Sequence, residues 1–178
     1  RRLYRAYDTA QPESVILSPS ALNTYLDCRL RFYYRYVAGL KTPDEVSAEI
    51  DSALFGTIFH LSAQLAYTDL TANGKMIQRE DLERLLRDEI KLQGYVDQAF
   101  KQELFKVAPE EKPEYNGVQL INSKVIVSYL KQLLRNDLQY TPFEMVAMEK
   151  KVSEKITIQT ALGPLTLRLD GTIDRMDA

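Results

Sequence analysis

The spacing of apolar and polar residues changes once along the chain, near residue 143. Before that point apolar residues recur every three or four positions, which predicts amphipathic helices. From Phe143 onward they recur at every second position, which predicts β-strands. Helices followed by an antiparallel sheet indicate a mixed α/β (α+β) fold.

The helical part contains five helical stretches. Ser18 is a natural N-cap and Pro19 suits the first helical position, so the first helix should begin there. We expect a second, short helix to end at Val37 and residues 41–50 to form a polar loop. The stretches are "LSPSALNTYLDC", "RLRFYYRYV", "DSALFGTIFHLSAQLAYTDL", "REDLERLLRDEIKLQGYVDQAFKQELFKV" with a break expected at Gly94, and "VQLINSKVIVSYLKQLLRNDLQY".

The part after residue 143 contains three runs with strand character. They are "FEMVAMEKKV", "EKITIQT" and "LTLRLDGTIDRMD", and they predict an antiparallel three-strand meander with a tight turn at 162–164. We therefore divide the chain into a polar lead-in over 1–16 and one domain over 17–178. The domain is expected to be helical over 17–140 and to form a sheet over 143–177.

Composition narrows the protein class. Hydrophobic residues make up 45% of the chain and charged residues 27%, enough for a core. The net charge of −2 gives no whole-chain support for nucleic-acid binding, so a nucleic-acid surface would have to be a local patch. The chain has one cysteine, no bilayer-length apolar run and no signal-peptide pattern. We therefore expect a cytoplasmic protein without a membrane partner.

His60 and Asp174 are the main candidates for chemistry. His60 is the only histidine, and Gly56 lies one helical turn before it, where a glycine suggests that a backbone or a ligand comes close. Asp174 follows an apolar strand run near Asp170 and Asp177, and carboxylates crowded at a strand end can hold a hard divalent cation. The alternative is a packing histidine and a turn aspartate.

Two further groups carry weaker signals. Arg31, Tyr34 and Arg35 belong to "CRLRFYYRY", where interleaved arginines and aromatics suit phosphate contacts with base stacking. The alternative is an amphipathic helix with core aromatics and solvated arginines. Glu149 and Lys151 form an E-x-K that alternating charge on a solvated strand also produces.

Taken in order, these motifs resemble the nuclease domain of the RecB/AddB-like branch of the PD-(D/E)XK superfamily. The matching segments are "LSPSALNTYLDCRLRFYYRYVAGL", "FGTIFH" and "LRLDGTIDRMD", which together extend from Leu17 to Asp177. The resemblance implies a restriction-endonuclease-like core with Mg²⁺ or Mn²⁺ in the complete domain. It makes His60 and Asp174 the catalytic and metal-binding residues, so we expect their side chains to face a common cleft. We add Arg175 to the candidate DNA contacts.

Two departures from the family pattern matter. The family's Asp-x-Lys strand follows Gly-x-Ile-Asp, and the sequence stops before it, so we expect a piece without the C-terminal part of the fold that is inactive alone. We do not expect Glu149 and Lys151 to replace that motif. Cys28 matches a cysteine that AddB-type members use for an iron–sulfur cluster. It has no cysteine partners in this chain, so a cluster would need a longer parent.

The resemblance implies a fragment of a DNA exonuclease domain that hydrolyses phosphodiester bonds in a bacterial helicase–nuclease repair system. The implied partners are DNA and a helicase subunit or helicase domain. A second hypothesis is a non-catalytic module of the same fold that binds DNA ends or a partner helicase. A third is a helical protein-interaction domain.

Overall fold

A computed structural model describes residues 6–10, 14–40, 50–108, 111 and 114–178. In this part of the chain the helices are α1 (Pro19–Asp27), α2 (Arg29–Phe32), α3 (Ser52–Leu70), α4 (Arg79–Arg87), α5 (Glu89–Phe100) and α6 (Gly117–Asp137). Short π-helical segments, Tyr33–Val37 and Lys101–Phe105, follow α2 and α5. The strands are β1 (Met76–Ile77), β2 (Phe143–Thr160) and β3 (Gly163–Asp177), which form an antiparallel sheet in that order. The predicted fold class, helices with a three-strand antiparallel sheet, is confirmed.

The strand boundaries differ from the prediction. The runs that we assigned to the first two meander strands form one strand, β2, because Ser153, the one residue between them, continues the strand. The remaining strand is β1, which pairs with the start of β2 through Met76 opposite Glu144 and Ile77 opposite Phe143. Two residues are too few to show a period of two, so the sequence pattern could not reveal β1.

The break in the fourth helical stretch lies at Asp88 and not at Gly94. Asp88 ends α4 and is the N-cap of α5, where its carboxylate accepts a 2.9 Å hydrogen bond from the backbone N–H of Lys91. This bond satisfies one of the free donors at the start of α5. Gly94 lies inside α5 and does not interrupt it.

The chain divides into two compact units. The first unit comprises Arg1–Glu45 and Glu149–Ile173. Its core is built on Tyr7, Ala21 and Phe32. The predicted start of α1 is confirmed, because the Ser18 hydroxyl accepts a 3.1 Å hydrogen bond from the backbone N–H of Ala21. Just before this cap, Leu17 forms a parallel bridge with Leu169 of β3.

The second unit comprises Val46–Met148 and Asp174–Ala178. Its core is formed by apolar side chains of α3, β1, α4, α5, α6 and the start of β2. The largest fully buried ones are Tyr67, Phe100, Ile58, Ile77, Leu82, Leu92, Ile126, Leu130 and Leu134. Burying such side chains supplies most of the stabilising free energy of a unit of this size. One face of α3 packs into this core, and the opposite face is accessible.

Two further expectations concern the loop before α3 and membrane-spanning helices. The predicted polar loop over 41–50 lies, except for Ile50, outside the described residues. No helix in the described part of the chain combines the length and the apolar character needed to cross a bilayer.

Candidate metal centre

His60 lies on the accessible side of α3. Asp51 caps this helix by accepting a 2.7 Å hydrogen bond from the backbone N–H of Leu54, which fixes where the helix begins. The imidazole side chain of His60 is 54% exposed, and its ring meets the ring of Phe59 edge to face at 6.0 Å. The expected alternative, a packing histidine, does not describe this position.

Asp174 reaches His60 from the last part of β3. Its Oδ2 atom lies 3.9 Å from Nδ1 of His60, and its side chain is 67% exposed. Both residues belong to the second unit, so one compact body holds the pair. The predicted convergence of the two side chains is confirmed, whereas their chemical roles stay predictions.

The spacing of this pair fits a shared divalent cation. Ligand atoms that sit about 2.1 Å from one cation lie about 3 Å apart when adjacent and about 4.2 Å apart when opposite. The distance of 3.9 Å between Nδ1 and Oδ2 is close to the second value, so a small side-chain movement lets both atoms bind one ion. An imidazole nitrogen beside a carboxylate oxygen suits Mn²⁺ better than Mg²⁺. The pair is therefore a candidate acidic and histidine metal site.

Arg175, the residue after Asp174, is held by two carboxylates. One guanidinium nitrogen, Nη1, donates to Asp137, the last residue of α6. The other two nitrogens contact Asp177, with Nε 2.7 Å from Oδ1 and Nη2 2.6 Å from Oδ2. The guanidinium also stacks on Tyr67, 4.8 Å from the ring centroid. The predicted DNA contact of Arg175 stays untested, but the structure gives this side chain internal partners.

Tyr67 completes the contacts around Asp137. Its hydroxyl donates a hydrogen bond to the Asp137 carboxylate inside the core of the second unit. Burial and the bond to Asp137 raise the pKa of Tyr67 far above its ordinary value, so the phenol keeps its proton. Burial opposes the charge of Arg175, but the carboxylates of Asp177 and Asp137 outweigh it and raise the arginine pKa.

The other predicted DNA-contacting residues lie in the first unit. Arg31, on α2, is exposed and pairs with Asp27 at 2.9 Å. Tyr34 and Arg35 lie in the π-helical segment and are exposed as well. Neighbouring Phe32 is buried, so the cluster combines a core aromatic with an accessible basic and aromatic surface. Both interpretations of "CRLRFYYRY" therefore describe part of it.

Cys28 is the N-cap of α2 and is partly exposed. Its sulfur accepts a weak 3.5 Å hydrogen bond from the backbone N–H of Arg31, a capping role that keeps it near the surface.

Glu149 has a left-handed backbone with φ 48° inside β2. Simple strand alternation therefore does not assign Glu149 and Lys151 to one face of β2.

Comparison with known families decides the class of this domain. The sequence profile of the PD-(D/E)XK nuclease superfamily matches residues 16–178. The chain belongs to this superfamily. A search of curated proteins found no match. As a PD-(D/E)XK protein the chain is a nuclease-type domain, and nucleases of this superfamily usually use divalent metals. The side chains of His60 and Asp174 form a candidate site for such an ion.

Sequence reasoning missed Tyr67 and Asp137 in this PD-(D/E)XK domain. Asp137 did carry a signal, because it ends a helix, where the negative end of the helix dipole disfavours a carboxylate. An acid at that position indicates a nearby cation, here Arg175. Tyr67 gave no such signal, since a tyrosine among apolar residues of a helix is typical of a core.

Proposed function

We propose that the chain carries the metal-binding residues of a DNA exonuclease domain that hydrolyses phosphodiester bonds with a divalent cation. The observation that carries this proposal is the distance of 3.9 Å between Nδ1 of His60 and Oδ2 of Asp174. It is supported by membership of the PD-(D/E)XK nuclease superfamily over residues 16–178.

In this proposal His60 and Asp174 hold the cation from two elements of one compact unit. The cation neutralises charge that develops on a phosphate and lowers the pKa of water. Both side chains are more than half exposed, so a phosphate of the substrate can reach the pair without a rearrangement of the core. Mg²⁺ and Mn²⁺ are the ions that we propose, with the imidazole favouring Mn²⁺.

We further propose that Arg31, Tyr34 and Arg35 contact the DNA. Arginine side chains supply phosphate contacts, and an exposed tyrosine ring offers a stacking surface for an unpaired base. Tyr34 is 48% exposed and meets the ring of Tyr33 edge to face. Such a surface binds DNA without reading its sequence, which suits an exonuclease that must pass along any sequence.

The biological setting that we propose is a RecB/AddB-like helicase–nuclease system of bacterial recombinational repair. The support is the order of the motifs around Ser18, His60 and Asp174, which resembles that branch of the superfamily. A helicase subunit, or a helicase domain of the same gene product, is the proposed protein partner. A helicase supplies the single strand that an exonuclease of this kind shortens.

The test is a cleavage assay with the full-length gene product on end-labelled linear duplex DNA with Mg²⁺ or Mn²⁺. We expect Asp174→Asn and His60→Gln each to lower the cleavage rate on the order of 10²-fold, the scale of losing one charge-stabilising group. Asp170→Asn is the matched control on the same strand, because Asp170 is engaged by Ser153 and Arg168. Its rate should not change.

Two outcomes would contradict the proposal in different ways. Cleavage that survives Asp174→Asn removes Asp174 from the site. A wild-type protein that binds DNA ends tightly, but cuts them with neither ion, supports the non-catalytic binding module of the same fold.

A further inference from the structure

Three elements of the second unit meet at the carboxylate of Asp137. The carboxylate belongs to the last residue of α6, and it accepts hydrogen bonds from Tyr67 of α3 and from Arg175 of β3. Asp137 is only 8% exposed, so these bonds are made away from competing water. A carboxylate in such a position ties its partners together strongly, because leaving either of them unpaired is costly.

The guanidinium of Arg175 is fixed in all directions. Asp137 and Asp177 engage its nitrogens in the plane of the group, and the rings of Tyr67 and Phe143 contact it at 4.8 and 4.9 Å. Such contacts restrict the orientation of a planar group. The backbone at the end of β3 is thereby fixed as well.

This fixed point is next in sequence to Asp174. Asp174 and Arg175 are consecutive, and both contact α3, at His60 and at Tyr67 respectively. These contact points are seven residues apart, which is two helical turns and about 10.5 Å along the axis. Fixing Arg175 on Tyr67 therefore sets the direction in which the Asp174 carboxylate approaches His60.

We infer that Arg175 is a positioning residue, which through Asp137, Asp177 and Tyr67 holds the Asp174 carboxylate in place for the cation. This inference rests on the proposed metal site. The high pKa of Tyr67 agrees with it, since the protonated phenol can donate to Asp137 throughout the physiological pH range. Substitution of partners that orient metal ligands typically lowers metal affinity by about 10- to 100-fold.

The conservative substitution Arg175→Lys tests the inference. It keeps the positive charge but cannot engage two carboxylates in one plane. Mn²⁺ affinity, measured from the electron paramagnetic resonance signal of free Mn²⁺, should fall by roughly 10-fold or more relative to wild type. Arg168→Lys is the matched control, because Arg168 lies on the same strand and pairs with Asp170. Its Mn²⁺ affinity should equal that of wild type.

Two more variants distinguish the positioning role of Arg175 from a purely structural role. Leu134→Ala removes a fully buried side chain of the same unit, so it should lower the melting temperature without changing Mn²⁺ affinity. Tyr67→Phe removes one donor to Asp137 with little change of shape, and it should weaken Mn²⁺ binding. If Arg175→Lys does not fold, Tyr67→Phe provides the test of the positioning role.

The outcomes separate this inference from the proposed function. If wild type does not bind Mn²⁺, or if Asp174→Asn binds it equally well, the metal site itself is wrong. If Asp174→Asn loses binding while folded Arg175→Lys and Tyr67→Phe bind like wild type, only the positioning role is overturned. The role is also overturned if Leu134→Ala weakens binding as much as they do.

Discussion

Gly171 of β3 lies directly against the ring of Pro19, the first residue of α1. A Cβ atom at position 171 would be 3.0 Å from Cγ and 3.4 Å from Cδ of that ring. The proline ring cannot rotate away, so the strand or the helix would have to move. We predict that Gly171→Ala lowers the free energy of unfolding by about 1 kcal/mol, which denaturant titration would measure.

The Pro19→Ala background provides the control for this prediction. It removes the two ring atoms that the new methyl group would meet, so Gly171→Ala should cost much less there. The difference is the coupling free energy of a double-mutant cycle. An equal cost of Gly171→Ala in both backgrounds would show that the contact with Pro19 is not the cause.

Gly56 behaves differently from Gly171. We expected a backbone or a ligand close to it. Apart from its chain neighbours and the nearby backbone of α3 itself, no atom of the residues that the structure describes lies within 4 Å of a Cβ at this position. In the interior of α3, alanine is favoured over glycine by about 1 kcal/mol. Gly56→Ala should therefore raise the free energy of unfolding by up to about 1 kcal/mol. A destabilised variant would show that the space is occupied.

Much of the fold could be predicted because its signals are local. The cap at Ser18, the amphipathic pattern of α3 and the alternation in β3 all arise from neighbours in sequence. The pairing of His60 with Asp174 is not local, and it was predicted from the order of motifs that resembles a known family. Periodicity alone predicts only a packing histidine and a turn aspartate.

Two of the features that were missed depend on partners distant in sequence, and one depends on a local side-chain cap. Strand β1 exists because the start of β2 offers it hydrogen bonds, and its two residues have no pattern of their own. The break at Asp88 was assigned to Gly94 because glycine has the weaker helix propensity, whereas a side-chain cap decided the position. The contacts of Arg175 with Tyr67 and Asp137 connect three elements, so no single segment shows them.

Alkaline pH should destabilise the protein through Tyr67. Its pKa in the folded state lies above the unfolded value of 10.0. Its contribution is therefore fully present below that value and is lost as the pH rises towards the folded pKa. Above pH 10.0 the unfolded state loses the Tyr67 proton and the folded state keeps it. The free energy of unfolding should therefore fall by about 1.4 kcal/mol for each pH unit.

Thermal unfolding of wild type and Tyr67→Phe between pH 9 and pH 11, about one unit on either side of the ordinary tyrosine pKa, measures this effect. The phenylalanine variant should be less stable at the lower pH but should lose less stability on going to the higher one. Parallel curves would contradict a retained proton on Tyr67.

The accessible basic surface of the first unit should contribute to DNA binding. Arg31→Ala should weaken binding to single-stranded DNA. It should also make the fall of log K with log salt concentration less steep, by about 0.7, the value for one phosphate contact. Arg79→Ala is a matched control, because Arg31 and Arg79 are 65% and 61% exposed and each forms a 2.9 Å ion pair one turn away. The same change for both variants would mean that only overall charge matters.

The central claim is that His60 and Asp174 bind one divalent cation, and the single histidine makes it directly observable. Mn²⁺ broadens the NMR signals of nearby protons, and only one imidazole contributes ring signals here. In the wild type, Mn²⁺ well below one equivalent should broaden the His60 ring signals first, and Mg²⁺ should restore them. Asp174→Asn should require roughly 10-fold more Mn²⁺, while Asp170→Asn should match wild type. The claim is contradicted if the His60 signals stay sharp, or if Asp174→Asn responds to Mn²⁺ as the wild type does.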